Sequence, residues 1–271
     1  MKVLLLTGEF PPMQGGVGDY TASLAAALEQ RGVSCSIVTG AGRGVRPAHN
    51  VCPEMPGWGF RDWSILSGLI GRLRPDIVHV QYQTAAYGMH PLINALPLLS
   101  RLSRPRIPVV TTFHDMRVPY LFPKAGPLRG LANWLLAAVS QACVATNDED
   151  MERLRKMWRQ ERRRGDIVLI PIGSNISVSP PDGYSRDELR TRFGLAQGEA
   201  IVSYFGLVNE TKGVETLFHA IAGFPTDCPV HVVMIGGTEG HSDVTNAQYR
   251  RQMLDLCRHL ALDDRVTWTG F

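Results

Sequence analysis

Glu9-Phe10-Pro11-Pro12-Met13-Gln14-Gly15-Gly16-Val17-Gly18-Asp19-Tyr20 is the stretch on which the fold turns. Before it, Val3 to Leu6 is an apolar run of strand length. After it, Tyr20, Leu24 and Leu28 recur at helical spacing, and Gly32 stops that helix ahead of the apolar run Ser34 to Val38. Strand, glycine turn, helix and strand make a βαβ unit, in which a crossover helix lets two strands run parallel. The glycine loop then lies at the carboxyl end of a parallel sheet, where open α/β folds bind ligands. Paired glycines let the backbone approach a ligand closely, and a helix N-terminus offers unpaired N–H groups and a positive dipole end to a phosphate. The same glycines equally suit a turn that only reverses the chain.

The rhythm continues downstream. Ile77 to Val80 follows the break at Pro75-Asp76, Val109 to Phe113 follows Pro108, Ala142 to Ala145 follows a helix through Trp134 to Val139, and Ile167 to Ile170 precedes Pro171. Ser177-Val178-Ser179-Pro180-Pro181-Asp182-Gly183 has the composition of a linker. Domains are therefore expected over residues 1–176 and 185–271, joined by 177–184. Ser185 and Glu188 form a capping box for a helix through Phe193. Strands Ile201 to Phe205, Val230 to Ile235 and Val266 to Thr269 then alternate with helices Val214 to Ala222 and Tyr249 to Leu260. The expected class is α/β, with two doubly wound domains. Such a domain normally has about six parallel strands, so the second, with three, is expected to be incomplete.

Composition narrows the function classes. With 271 residues, 44% hydrophobic and 20% charged, the chain can bury a sizeable core. A formal charge of +3 and a pI near 8.7 are too mild to argue for nucleic-acid binding. Cys35, Cys52, Cys143, Cys228 and Cys257 are odd in number and contain no C-x-x-C pair, which suits reduced thiols. No stretch approaches the ~20 apolar residues of a membrane span, and the start is too short for a signal peptide. A cytoplasmic location is expected.

Several ligand signatures fail. A dinucleotide fingerprint through Gly16 and Gly18 needs a glycine where Thr21 stands, and Thr39-Gly40-Ala41 has no acid for a ribose. No G-K-[ST] occurs, which removes a P-loop. Asp148-Glu149-Asp150 has the D-x-D form of a metal site, but acids here suit the first turn of a helix over Met151 to Trp158, capped by Asn147 or Asp148. With no H-E-x-x-H and no zinc-spaced Cys/His cluster, neither metal nor cofactor is expected.

Taken in order, the Phe-Pro-Pro and Gly15-Gly16 loop, Gln30-Arg31-Gly32, Pro75-Asp76-Ile77-Val78-His79-Val80, Thr111-Thr112-Phe113-His114-Asp115, Leu169-Ile170-Pro171, Tyr204-Phe205-Gly206, Lys212-Gly213, Met234-Ile235-Gly236-Gly237 and Val266-Thr267-Trp268-Thr269-Gly270-Phe271 resemble family 4 glycosyltransferases. The resemblance implies a GT-B fold of two Rossmann-like domains. It also implies transfer of a sugar, with retention, from a nucleotide-diphosphate sugar to a hydroxyl acceptor that is a glycan, lipid or small molecule. In such enzymes Gly15, Gly16, Gly206, Lys212 and Gly236 would bind the donor without a metal. Lys212 would offset the charge of the leaving diphosphate. His114 would stand beside the sugar, hydrogen-bonding a hydroxyl and moving protons near neutral pH. The resemblance places an arginine where this chain has Leu207, so that Asn209 or an arginine from elsewhere would have to substitute. It also places a later E-x7-E segment beyond Phe271, so this chain alone is expected to turn over little. A nucleotide-sugar epimerase of the same fold and a non-catalytic binding or scaffold fragment are the rival readings.

Three further expectations concern surfaces. His79 reads as core. His90, with the loops Ala41 to Asp62 and Tyr82 to His90, suits the acceptor side. Arg153, Arg155, Lys156, Arg159, Arg162, Arg163 and Arg164, interleaved with Leu154, Met157 and Trp158, suit either a solvated helix face or peripheral contact with an anionic membrane.

Overall fold

The computed structural model describes residues 1–41, 44–48, 50–88, 90, 92–102, 106–116, 126–161, 166–174, 179–180, 182–236 and 244–270. Ser177, Val178 and Pro181 of the expected linker, Arg162 to Arg164, Gly237 and Phe271 lie outside the described residues. The chain divides into two compact units, residues 1–175 and 176–271.

The first unit is built on seven parallel strands: β1 (Lys2–Thr7), β2 (Ser34–Gly40), β3 (Val51–Met55), β4 (Ile77–Tyr82), β5 (Val109–Phe113), β6 (Ala142–Ala145) and β7 (Asp166–Leu169). Their order across the sheet is β3-β2-β1-β4-β5-β6-β7, so the chain starts in the middle and reverses direction between β1 and β4. The crossovers are α1 (Gly16–Glu29), α2 (Trp63–Leu73), α3 (Leu92–Leu102), α4 (Gly126–Val139) and α5 (Asp148–Glu161). Alternation along β1 sorts its side chains onto two faces. Leu4 and Leu6 join Val78, Val80, Leu66, Leu69 and Leu96 in one cluster, while Val3 and Leu5 join Ile37 and Ala25 of α1 in another. With both faces covered, the strands read as near-continuous apolar runs.

Three of these elements were not expected. β3 contains Pro53, which removes a donor from the ladder, and is tolerated because β3 is an edge strand. α2 and α3 were also missed, the latter with Pro97 inside it. The segment expected to be a free loop from Ala41 to Asp62 thus carries a strand and a short 3-10 turn, Phe60–Asp62.

The second unit comprises α6 (Arg186–Arg192), β8 (Ala200–Phe205), α7 (Val214–Ala222), β9 (Val230–Ile235), α8 (Val244–His259) and β10 (Val266–Gly270). Ser185 caps α6 by accepting from Glu188 N–H at 3.3 Å. The parallel strands lie in the order β10-β9-β8, which repeats the first three positions of the first unit's sheet. The core joins Val232 and Met234 to Phe218, Ile221, Met253 and Cys257. β8 holds the position that β1 holds in the first unit, but it forms an edge: Ile201 and Val202 are exposed, and Phe205 is 65% exposed.

Candidate functional site

In the first unit, the carboxyl ends of β1, β4 and β5 bring together the loop after β1, Gln81 and His114. The key to the loop is Glu9, only 2% exposed. Its Oε1 accepts from the N–H groups of Val17 and Gly18 at 3.1 and 3.4 Å, so a carboxylate of the chain itself satisfies donors in the first turn of α1. Gly15 explains how it gets there: a Cβ at this position would overlap the Glu9 carboxyl group. Its φ of −178° is ordinary extended backbone, so the requirement for glycine is steric. At Gly16 a Cβ would meet nothing within 4 Å, and its flank is open. The expectation that this helix terminus waits for a phosphate is thereby narrowed. Glu9 already uses two of its N–H groups, and Gly15 makes room for Glu9.

His114 follows β5 and continues the ladder through its N–H to the Tyr82 carbonyl at 3.0 Å. Its Nε2 lies 2.9 Å from Gln81 Oε1, and its ring meets the Tyr20 ring of α1 edge-on at a centroid distance of 4.8 Å. Tyr20 thus ties the start of α1 to the end of β5. Enclosure lowers the His114 imidazole from 6.5 to about 4, because burial disfavours the cation. At neutral pH this leaves a neutral ring, with one N–H to donate and one nitrogen to accept. His79 is core, as expected; its Nε2 lies 2.8 Å from Thr112 Oγ1, and burial first, then His114, lowers it to about 4.

The loops after β1 and β4 press together, since a Cβ at Gly8 would run into the Ala86 backbone. The Tyr87 hydroxyl sits 2.8 Å from the Leu6 carbonyl and 3.0 Å from that of Gln81. Trp58 meets Tyr87 edge-on at 4.7 Å, and the exposed Phe60 meets His90 in the same way at 4.9 Å. The two segments assigned to the acceptor side therefore touch one another.

In the second unit, Gly206, Lys212 and Gly236 converge at the carboxyl ends of β8 and β9. Gly206 and Gly236 have φ of +127° and +122°, a region that disfavours side chains, and Gly206 N–H donates to the Ile235 carbonyl at 2.9 Å. A Cβ on Gly206 would stand 2.9 Å from Lys212 Nζ, and one on Gly236 would stand 3.0 Å from the Gly206 carbonyl oxygen. Lys212 is exposed and forms no ion pair among the described residues. Asn209, a candidate to replace the missing arginine, accepts instead from Thr211 Oγ1 at 2.9 Å.

Asp148-Glu149-Asp150 opens α5. Asp150 N–H donates to Asn147 Oδ1 at 2.8 Å, and Asn147 Nδ2 donates to Asp150 Oδ2 at 3.0 Å, a reciprocal cap. Glu149 pairs with Arg153 at 2.6 Å. Leu154 and Trp158 are buried, with Trp158 Nε1 donating to the Ala137 carbonyl at 3.3 Å, so these apolar residues face the core rather than a lipid surface.

Glu9 and Gln81 are the site residues that sequence reasoning missed. The available signals were a carboxylate just ahead of a glycine turn and an amide near the carboxyl end of a largely apolar strand.

Two units, each built on a parallel sheet with glycines and polar groups at its strand ends, have the architecture of the GT-B fold. The Anabaena protein HepE, solved with UDP and glucose, has this fold: TM-score 0.71 at 18% identity, covering 100% of this chain and 69% of that one. WaaG, a glycosyltransferase involved in lipopolysaccharide biosynthesis, matches with TM-score 0.64 at 15% identity, over 99% of this chain and 70% of that one. The chain belongs to Glycosyltransferase Family 4, whose model matches residues 14–178. Curated relatives include D-inositol 3-phosphate glycosyltransferases of Xylanimonas cellulosilytica and Mycolicibacterium smegmatis, each 25% identical over 93% and 94% of this chain. The chain spans 64% and 60% of the lengths of those two relatives.

Proposed function

We propose that the chain binds a nucleoside-diphosphate sugar and belongs to a protein that transfers the sugar, with retention, to a hydroxyl acceptor. The observation carrying this reading is the placement of Lys212 against the Gly206 and Gly236 turns, where a cation and closely approachable backbone stand together at strand ends. Within the second unit, Lys212 offsets charge on the diphosphate; within the first, the ring of His114 is able to hydrogen-bond a ligand hydroxyl. β8 accepts further parallel strands along its exposed edge, which extends the second sheet toward the usual doubly wound set. The relatives' named substrate, D-inositol 3-phosphate, is the first acceptor to try.

Calorimetric titration of this chain with UDP- and GDP-sugars tests the reading. Binding of one donor is expected, weakened roughly tenfold or more by Lys212→Ala, given the ~1.5–3 kcal/mol of a hydrogen bond to a charged group. No heat with any donor, in this chain and in a longer one carrying an E-x7-E segment, would sink it.

Among the described residues no helix is long and apolar enough to cross a membrane. We place the protein in the cytoplasm, in keeping with its five free cysteines. Contact of α5 with an anionic membrane, if made, is electrostatic, because Leu154 and Trp158 are committed to the core.

A further inference from the structure

Gln81, next to last in β4, is 0% exposed and directs its amide at His114. We propose that Gln81 is a positioning residue that fixes the tautomer of His114, so that the ring offers a bare Nδ1 as acceptor to a hydroxyl group of the ligand. The chemistry follows from the pairing. An amide oxygen only accepts, so the ring nitrogen 2.9 Å from Gln81 Oε1 carries the proton. A neutral imidazole has one N–H, and Nδ1 is left with its lone pair.

The surroundings leave Gln81 little freedom to do otherwise. Its backbone is held between β1 and β5 in the register Thr7, Gln81, Thr112, and its carbonyl lies 3.0 Å from the Tyr87 hydroxyl. Gln81 Nε2 is buried with no hydrogen-bond partner among the described residues. A buried amide donor left unmatched is costly, and it is tolerated here with the oxygen turned to the ring. Rotating the imidazole would replace Nε2 by carbon and lose the bond, and the Tyr20 ring packs against it with centroids 4.8 Å apart. Glu9 and Gln81 thereby act in parallel: one settles the N–H groups of α1, the other settles the proton of His114. The role toward a ligand rests on the proposed donor reading; the tautomer itself does not.

The test is nitrogen NMR of the histidine rings in this chain, with His114 assigned by its loss in His114→Asn. The expected spectrum has His114 Nε2 protonated and Nδ1 bare across neutral pH. Gln81→Met, which removes the acceptor, should abolish that preference, and donor titration should lose affinity roughly tenfold. Gln81→Glu keeps the acceptor and should retain the Nε2–H form while raising the His114 midpoint by roughly one unit or more. A wild-type ring protonated on Nδ1, or an unchanged tautomer in Gln81→Met, overturns the proposal. Should Gln81→Met not fold, the wild-type tautomer and the Gln81→Glu shift decide it. If the tautomer responds while no donor binds, the donor reading fails and the assignment of Gln81 to His114 stands.

Discussion

Replacing Gly15 by alanine should destabilise the first unit, while the same change one residue later should not. The Gly15 Cβ would occupy the space of the Glu9 carboxyl group, which is 2% exposed and cannot simply swing into water. Its departure breaks the bond to Val17 N–H at 3.1 Å and the longer one to Gly18 N–H at 3.4 Å. A hydrogen bond to a charged group contributes about 1.5–3 kcal/mol. The long contact counts for less, and the favourable helix-terminus field is already contained in these bonds. The loss is then about 2–4 kcal/mol. The extended backbone at Gly15 suits alanine, which returns about 0.4–1 kcal/mol through the unfolded chain. The net cost is roughly 2–3 kcal/mol, or about 5–10 °C in Tm for a unit of this size. At Gly16, open space at the first position of α1 predicts a change near zero or a slight gain. Calorimetry or urea unfolding followed on the first unit compares the two. Equal stability of Gly15→Ala and Gly16→Ala would refute the account of Glu9.

Further outcomes follow from other contacts. His79 and His114, both lowered to about 4, bind fewer protons folded than unfolded between pH 4 and 6.5, so stability is full above that window and falls as pH drops through it. The loss is on the order of 3 kcal/mol for each ring; urea midpoints at pH 4.5 and 7 should differ less in a His79→Asn, His114→Asn variant, and an unaltered pH difference would contradict the assignment. Asn147→Ala removes the reciprocal cap of α5 and should cost about 1 kcal/mol, read as a lowered urea midpoint. Co-sedimentation with anionic vesicles should be weak and lost in added salt; retention that survives high salt would mean an apolar insertion that the burial of Leu154 and Trp158 forbids.

What the sequence made legible was period and punctuation. Strands bounded by proline, such as Val109–Phe113, and helices with caps, such as the one opened by Ser185, are set by neighbours a few residues away. Prolines also stand inside two elements that the sequence reading did not mark, Pro53 in the edge strand β3 and Pro97 inside α3. The site divided along the same line. Gly15, Gly16, Gly206, Lys212, Gly236 and His114 are carried by an ordered set of motifs. Gln81 is 33 residues from His114 in sequence, and only the β4–β5 register brings the two together. Glu9 was visible in the loop, but its purpose depends on the chain folding back over Gly15, which leaves no trace in composition or spacing.

These two hidden residues bear on how charge is distributed in the proposed reaction. In the first unit the positive end of α1 is partly neutralised by Glu9, and His114 is neutral at working pH, so its contacts to a donor are hydrogen bonds rather than charge pairs. The cation of the proposed donor site lies in the second unit. There Leu207 stands where the resemblance expects an arginine, and Asn209 is engaged by Thr211. Among the described residues, Lys212 is the cation that stands against the Gly206 turn, and it is exposed. An exposed charge is strongly screened, with a Debye length of about 8 Å at physiological ionic strength. Donor affinity should therefore fall with added salt through Lys212, and Lys212→Ala should remove that dependence; an unchanged salt dependence in the variant would contradict the reading.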